Sequence, residues 1–333
     1  MNWVKRSIIT DTGENVEAIS PYIISASRST DIPAFYSKWF FNRLNKGYIA
    51  WKNPFNQEQQ FVSLLDTHFI VFWTKNPLPI VPYLQTLFDK SIGFYFQITI
   101  NDYEKEGLEP NVPSLDSRIN SFISLSKHIG KSRTIWRFDP LILSRNLNID
   151  DLLEKIQRIG NKIHPFTDKL VFSFADIGCY RKVVNNLMHL KTDFREFNKQ
   201  EIIEFTEKLT VLNKNWGLQI ATCAEEIELS EYHILRNRCI DDILIAKINN
   251  HDLTLLKWLG VDSKVNTLFG QEDFPNPKLK DKGQRKACGC IISKDIGMYN
   301  TCTHLCAYCY ANNSSKIAKE NSAKHNDNSH SIV

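Results

Sequence analysis

Residues 69–74 read FIVFWT and residues 93–100 read GFYFQITI, and these two stretches decide the fold. Both are nearly continuous in apolar and aromatic residues, which is typical of parallel strands buried on both faces. Four similar runs occur elsewhere in the chain, at residues 22–27, 134–138, 170–174 and 218–222. The sequence therefore predicts about six parallel strands.

Longer amphipathic stretches separate these runs and predict helices at residues 34–44, 115–129, 149–163 and 199–213. In the last of them Ile202, Phe205 and Leu209 lie near one helical face. Repeated alternation of strand and helix predicts an α/β protein with a parallel sheet or barrel. Polar residues follow the strands, among them Asp31, Lys75 and Asp139. Because the carboxyl ends of parallel strands share one edge, we expect a common site there.

The composition is that of a soluble globular protein: 333 residues, 42% hydrophobic, 23% charged, with a formal net charge of +4. So small a charge favours no particular class of partner. The N-terminus lacks an apolar signal segment and no run is long enough to span a membrane, so we expect a cytoplasmic protein with no membrane partner. We predict a core at residues 1–270, a cysteine-rich segment at 271–312 that completes it, and a disordered tail at 313–333.

Five of the eight cysteines lie between Cys288 and Cys309. Within that segment Cys302, Cys306 and Cys309 have the spacing CxxxCxxC. Three thiolates in so short a loop suit three corners of a [4Fe–4S] cluster and leave the fourth iron open for a ligand. Structural zinc held with the help of His304 is the alternative. The aromatic Tyr308 favours the cluster, because a nucleoside bound to the open iron needs a ring to stack on.

Four further cysteines form a candidate second site for a [4Fe–4S] cluster or a zinc ion: Cys223, Cys239, Cys288 and Cys290. Gly289 would let the backbone turn closely enough for its two neighbouring thiolates to face one metal. The alternative is that Cys223 and Cys239 are buried small apolar residues.

The motif CxxxCxYCYA resembles the radical S-adenosylmethionine (SAM) superfamily, and in particular its spore-photoproduct-lyase-like branch. Segments similar to that branch follow in order at residues 29–36 (STDIPAFY), 73–77 (WTKNP), 108–113 (LEPNVP) and 137–140 (RFDP). In that branch the cysteine loop lies near the N-terminus, whereas here it lies near the C-terminus. The resemblance thus implies a circularly permuted, partial (βα) TIM-like barrel of the radical SAM type.

The chain also resembles a bacterial family known only as a domain of unknown function, DUF1848. Its pattern includes SASRxTDIPAFY, FWTKNP, WRxDP, TCAEE, CIDD and ACGC…DIGxYxTC, and all of these occur here. This second resemblance supplies no reaction.

The radical SAM resemblance implies roles for particular residues. The three cysteines of the CxxxCxxC loop would hold the cluster, and SAM would be cleaved there to start radical chemistry on an unknown substrate. The expected cofactor-binding residues are Thr30, Asp31, Gln97 and Tyr308. The expected catalytic residues are Lys75, Arg137 and Asp139. An electron donor such as a flavodoxin or ferredoxin would be a partner.

Two other classes of function stay open on the sequence alone. One is an enzyme that modifies or repairs nucleic acids or nucleotides, which the lack of a basic run or aromatic–basic stripe does not favour. The other is a non-enzymatic protein that binds zinc or an iron–sulfur cluster.

Overall fold

The structure is a computed structural model that describes residues 3–190, 192–261 and 277–333. Its strands are β1 Lys5–Ile9, β2 Asn15–Ile19, β3 Ile23–Ala26, β4 Tyr48–Lys52, β5 Gln59–Ser63, β6 Phe69–Thr74, β7 Gly93–Thr99, β8 Thr134–Leu141, β9 Lys169–Phe174, β10 Gln219–Thr222, β11 Ile234–Arg236 and β12 Lys294–Asp295. Its helices are α1 Ile32–Phe35, α2 Ser37–Lys46, α3 Gln85–Asp89, α4 Leu115–Ile129, α5 Ile149–Ile163, α6 Arg181–His189, α7 Lys199–Asn213, α8 Asp242–Ile248, α9 Leu253–Leu259 and α10 Ser315–Lys324. Short 3₁₀ turns lie at Leu78–Tyr83, Lys131–Arg133, His164–Phe166, Ser230–Tyr232 and Pro277–Leu279.

Eight strands form one parallel sheet in the order β11-β10-β9-β8-β7-β6-β3-β12. The six predicted runs are β3 and β6 to β10, so the prediction of an α/β protein with a parallel sheet is confirmed. The sequence did not indicate β11 and β12, because strands of three and two residues are too short to show a pattern. Closure of this sheet into a barrel stays a prediction.

A second, mixed sheet of four strands was not predicted. Its order is β1-β2-β5-β4, with antiparallel pairs β1–β2 and β4–β5 and a parallel pair β2–β5. Strands β1 (KRSII) and β2 (NVEAI) are half-exposed and carry charged residues, so they lack the continuous apolar run of the large sheet.

Three predicted helices, at residues 115–129, 149–163 and 199–213, have the predicted bounds. Local capping explains two of the starts: Asn148 with Asp151, and Asn198 with Glu201, form reciprocal capping boxes. The predicted helix at residues 34–44 is two helices, α1 and α2. Asp31 caps α1 by accepting a hydrogen bond from the amide of Ala34, so the helix begins earlier than predicted.

The cysteine-rich segment joins the large sheet through β12, which pairs in parallel with β3. Asp295 secures this pairing by accepting hydrogen bonds from the Ser25 hydroxyl at 2.7 Å and the Arg28 amide at 2.8 Å. Gly297 lies so close to the turn after β3 that a Cβ there would meet Ser27 Oγ at 1.8 Å. The loop that follows β12 is therefore held at the carboxyl end of the sheet.

The structure differs from the expected disorder at residues 313–333. These residues contain α10, and beyond it the backbone oxygens of Ser329 and His330 accept hydrogen bonds from Trp39 Nε1 at 2.9 Å and the Ala50 amide at 2.7 Å. Ile332 is buried. The polar composition of this segment predicted disorder. The segment is held largely by hydrogen bonds to its backbone, and a residue composition does not reveal such bonds. The predicted boundary between residues 270 and 271 lies outside the described residues.

No helix in the described part of the chain is long and apolar enough to cross a membrane.

Candidate functional site

The loop after β12 carries Cys302, Cys306 and Cys309, which we call the loop trio. Cys306 is buried and the other two are half-buried. The backbone turns tightly here, with the Cys309 amide donating to the Cys306 oxygen at 3.0 Å, and the Ala311 amide donates to Cys309 Sγ at 3.3 Å. Burial raises the pKa of all three thiols, that of Cys306 to about 12, and negative charge on one raises the pKa of another. The three sulfurs therefore share one local environment.

Asp31 fastens this loop to the ends of two strands. Its carboxylate accepts hydrogen bonds from the Ala34 amide at 2.9 Å, the Lys75 amide at 2.8 Å and His304 Nε2 at 2.8 Å. Both carboxylate oxygens of Asp31 therefore have protein partners, and these hydrogen bonds hold the cysteine loop against the ends of β3 and β6. The neighbouring Thr30 is buried, and its Oγ1 makes no hydrogen bond among the described residues.

Tyr308 leads from the loop trio into a buried polar network with Lys75, Glu109 and Asn101. The tyrosine hydroxyl donates to Glu109 and accepts from Lys75 Nζ at 2.9 Å and Asn101 Nδ2 at 3.1 Å. Lys75 Nζ lies 2.7 Å from Glu109 Oε1, and Arg118 Nη1 lies 3.2 Å from Glu109 Oε2. Although burial opposes ionisation, the two cations hold the pKa of Glu109 below its usual value.

Arg137 and Asp139 form an ion pair along β8, with Arg137 Nε 3.1 Å from Asp139 Oδ2. Arg137 Nη1 also donates to Gln97 Oε1 at 3.1 Å and contacts Cys239 Sγ at 3.2 Å. Gln97 is fully buried, and its Nε2 donates to the Cys239 backbone oxygen at 3.1 Å. The structure therefore places Gln97 beside Cys239, where its side chain accepts a hydrogen bond from Arg137.

Asn101 connects the network around Tyr308 with the Arg137–Asp139 ion pair. Its Oδ1 accepts from the Asp139 amide at 2.9 Å and its Nδ2 donates to the Asp139 oxygen at 3.0 Å, besides its contact with Tyr308. The predicted residues Lys75, Asp139 and Tyr308 thus belong to one continuous arrangement at the carboxyl ends of β6, β7 and β8.

Cys223, Cys239, Cys288 and Cys290, which we call the four-thiol group, also come together. The sulfurs of Cys223 and Cys239 are 3.4 Å apart. Cys290 Sγ lies beside them, because it accepts a hydrogen bond from the Cys239 amide at 3.1 Å, and Cys288 is two residues before Cys290. These contacts with Cys223 and Cys290, helped by Arg137 and Arg28 against the effect of burial, hold the pKa of Cys239 well below its usual value.

No group of three or more His, Cys, Asp or Glu side chains within residues 3–190, 192–261 and 277–333 has an arrangement ready to hold a metal ion. The donor chemistry of the loop trio nevertheless suits an iron–sulfur cluster. Three thiols share a buried environment in one loop, and an amide N–H points at one sulfur, as occurs around cluster ligands.

The family model of a domain of unknown function, DUF1848, matches residues 23–311. The chain belongs to the DUF1848 family. The match spans the whole route from β3 to the loop trio, so the predicted resemblance to this family is confirmed. A comparison with curated proteins found no match. One solved structure, described as a candidate alpha-L-fucosidase from Bacteroides thetaiotaomicron, is similar over 60% of this chain and 75% of its own at 14% identity. Its TM-score of 0.26 is too low to carry an argument.

Sequence reasoning did not assign a role to two buried members of this DUF1848 site, Glu109 and Asn101. Glu109 lies in the segment Leu108-Glu109-Pro110, and Asn101 directly follows β7. A charged residue between two residues that favour burial or a turn could have marked Glu109 as a buried, paired carboxylate. Asp176, another polar residue after a strand, pairs with Arg285.

Proposed function

We propose that this protein is a radical SAM enzyme of unknown substrate. One observation carries the proposal: the CxxxCxxC loop lies at the carboxyl end of a parallel sheet, in the segment that follows β12, which pairs with β3. Ligands of open α/β sheets bind at that edge. Strand β12 lies at the end of the sheet next to β3, so moving the last strand and its loop to the front of the chain would leave the neighbouring strands unchanged.

The surroundings of the loop suit a bound cofactor. When bound to Cys302, Cys306 and Cys309, a [4Fe–4S] cluster would supply the electron that reductively cleaves SAM. Lys75 and Tyr308 would present fixed cationic and hydroxyl groups beside it, held by Glu109 and already positioned before a ligand arrives.

Other residues suit the binding of the SAM nucleoside or of the substrate. Thr30 carries a buried hydroxyl whose Oγ1 makes no hydrogen bond to other described residues, so it can bond a ligand. Arg137 and Asp139 form a rigid pair on the adjoining strand, and the half-buried Asp139 carboxylate can accept a hydrogen bond from a substrate. We propose that a flavodoxin or ferredoxin donates the electron.

The test is anaerobic purification and reconstitution, followed by measurement of iron, sulfide, zinc and 5′-deoxyadenosine formed from SAM under reducing conditions. We expect about four irons in the loop trio and formation of 5′-deoxyadenosine. Cys306→Ala should lose that iron and the product, whereas the control Cys179→Ala should keep both, because Cys179 is exposed and separate from both cysteine groups.

Two results would overturn the proposal. Zinc without iron would show that the loop is a zinc site. Iron that is bound but never supports cleavage of SAM would show a non-enzymatic iron–sulfur protein.

A further inference from the structure

The four-thiol group is built from three separate segments of the chain. Cys223 directly follows β10, Cys239 lies between β11 and α8, and Cys288 and Cys290 precede β12. The segments are joined beside the sulfurs by backbone hydrogen bonds, such as that from the Ile291 amide to the Ile240 oxygen at 3.2 Å. Four thiols that meet from distant parts of a chain have no role in the proposed cleavage of SAM.

Several N–H donors point at two of these sulfurs. Cys239 Sγ accepts from Asn237 Nδ2 and from Arg137 Nη1, each at 3.2 Å. Cys290 Sγ accepts from the amides of Cys239 at 3.1 Å and Ile240 at 3.4 Å. A neutral thiol is a weak acceptor, whereas a metal-bound thiolate is stabilised by such donors. The surroundings of these sulfurs therefore suit thiolate ligands.

Two arginines supply positive charge beside the group. Arg137 contacts Cys239 directly, and Arg28 lies close enough to Cys290 and Cys239 to interact electrostatically with both. Arg28 Nη2 is buried and makes no hydrogen bond within the described residues. Four thiolates around a divalent ion leave a net charge of −2, and both guanidinium groups lie where they would stabilise it, Arg137 while also paired with Asp139.

The spacing of the sulfurs favours a single ion over a cluster. A tetrahedral zinc with Zn–S bonds of about 2.3 Å holds its sulfurs about 3.8 Å apart. The sulfurs of Cys223 and Cys239 are 3.4 Å apart, and Cys290 Sγ lies 3.1 Å from the amide of Cys239. An iron–sulfur cube would push its thiolates much farther apart, because its irons and sulfides lie between them.

We propose that Cys223, Cys239, Cys288 and Cys290 bind one zinc ion in a structural tetrathiolate site, distinct from the loop trio. Each thiol releases its proton as its Zn–S bond forms, and no oxidation state changes. In the structure the Cys223 and Cys239 sulfurs are in contact, so binding requires the Cys288 and Cys290 side chains to rotate toward a centre shared with them.

Such a site would fix the part of the fold that holds Arg137. The Cys239 backbone oxygen accepts hydrogen bonds from Tyr95 Oη at 2.6 Å and Gln97 Nε2 at 3.1 Å. Tyr95 and Gln97 lie on β7, in the middle of the sheet. Zinc would therefore tie the segment before β12 to the centre of the sheet.

The test is metal analysis of full-length protein produced with both iron and zinc available, in the wild type and three variants. We expect about one zinc per chain in the wild type. Cys290→Ser should lose it while keeping the iron of the loop trio. Cys306→Ala should keep the zinc while losing that iron, and the control Cys179→Ser should keep both.

X-ray absorption at the zinc edge of the wild type keeps the proposal testable if Cys290→Ser does not fold. Four sulfur neighbours at about 2.3 Å are expected. The proposal is overturned by nitrogen or oxygen neighbours, by wild-type protein without zinc, or by loss of about four irons in Cys290→Ser, which would indicate a second cluster. None of these results depends on whether SAM is cleaved, so the proposed function can fail separately.

Discussion

The two cysteine groups differ in how the chain assembles them. The loop trio lies within eight consecutive residues, and one tight loop brings its sulfurs together. The four-thiol group spans residues 223–290 and exists only because β10, the loop before α8 and the segment before β12 meet in space. The spacing of a short motif along the chain indicates how its side chains are arranged. The arrangement of a site built from distant segments depends on how the whole sheet folds.

Their electrostatic surroundings differ as well. At the loop trio, burial raises the pKa of Cys302, and the charge of Asp31 adds to the effect. At the four-thiol group, the pKa of Cys239 is lowered by neighbouring thiols and by Arg137, against the effect of burial. Asp31, Glu109 and Lys75 surround the first group, whereas two arginines lie beside the second, so the two groups offer different electrostatic surroundings to a ligand.

The largest effect that we expect concerns the buried polar network of Lys75, Glu109 and Tyr308 beside the loop trio. Glu109→Gln should lower the free energy of unfolding by about 3–5 kcal/mol, because it leaves Lys75 without a counter-charge and Arg118 with only Glu104 at 3.7 Å. Urea denaturation measures this change. Glu17→Gln is the control, since the Lys5–Glu17 pair is exposed and should contribute less than about 1 kcal/mol. Equal losses of unfolding free energy in the two variants would show that Lys75, Glu109 and Arg118 do not form a buried ionic network.

The sequence predicted the loop trio better than its surroundings for a physical reason. Cluster ligands must be close together, and close spacing along the chain is visible in the sequence, whereas the partners of Asp31 come from β6 and the cysteine loop. The parallel strands were predictable because burial on both faces gives continuous apolar runs. The half-exposed strands β1 and β2 and the packed tail lack such runs, so only the structure revealed them.

The link between the two groups should be sensitive to a single methyl group. Gly297→Ala would place a Cβ 1.8 Å from Ser27 Oγ, whose position is fixed by the amides of Ser29 and Thr30 at 3.0 and 3.1 Å. We expect a loss of about 2–3 kcal/mol in the free energy of unfolding. Gly178→Ala is the matched control, because its Cβ would meet only Glu196 at 3.6 Å. Thermal or urea unfolding that fails to separate the two variants would contradict the close packing of β12 on the turn after β3.

The smallest predicted effect is a pH dependence at Lys294, on the strand between the two groups. Its Nζ lies 3.2 Å from the centre of the Trp51 ring and donates to Gln60 Oε1 at 2.9 Å. Burial lowers its pKa to about 8, with Asp295 acting in the opposite direction.

Between that pKa and the usual value of about 10.5 the folded state binds fewer protons at Lys294 than the unfolded state, so this residue makes stability rise with pH. Between pH 7.5 and 9.5 we expect the free energy of unfolding of the wild type to rise by about 1–2 kcal/mol relative to Lys294→Met. Urea denaturation across that range measures the difference. Lys90→Met is the control, because Lys90 is exposed and its removal should leave the pH profile unchanged. Parallel profiles for the wild type and Lys294→Met would show that the Lys294 side chain is hydrated. The burial of β12 between the two cysteine groups would then be wrong.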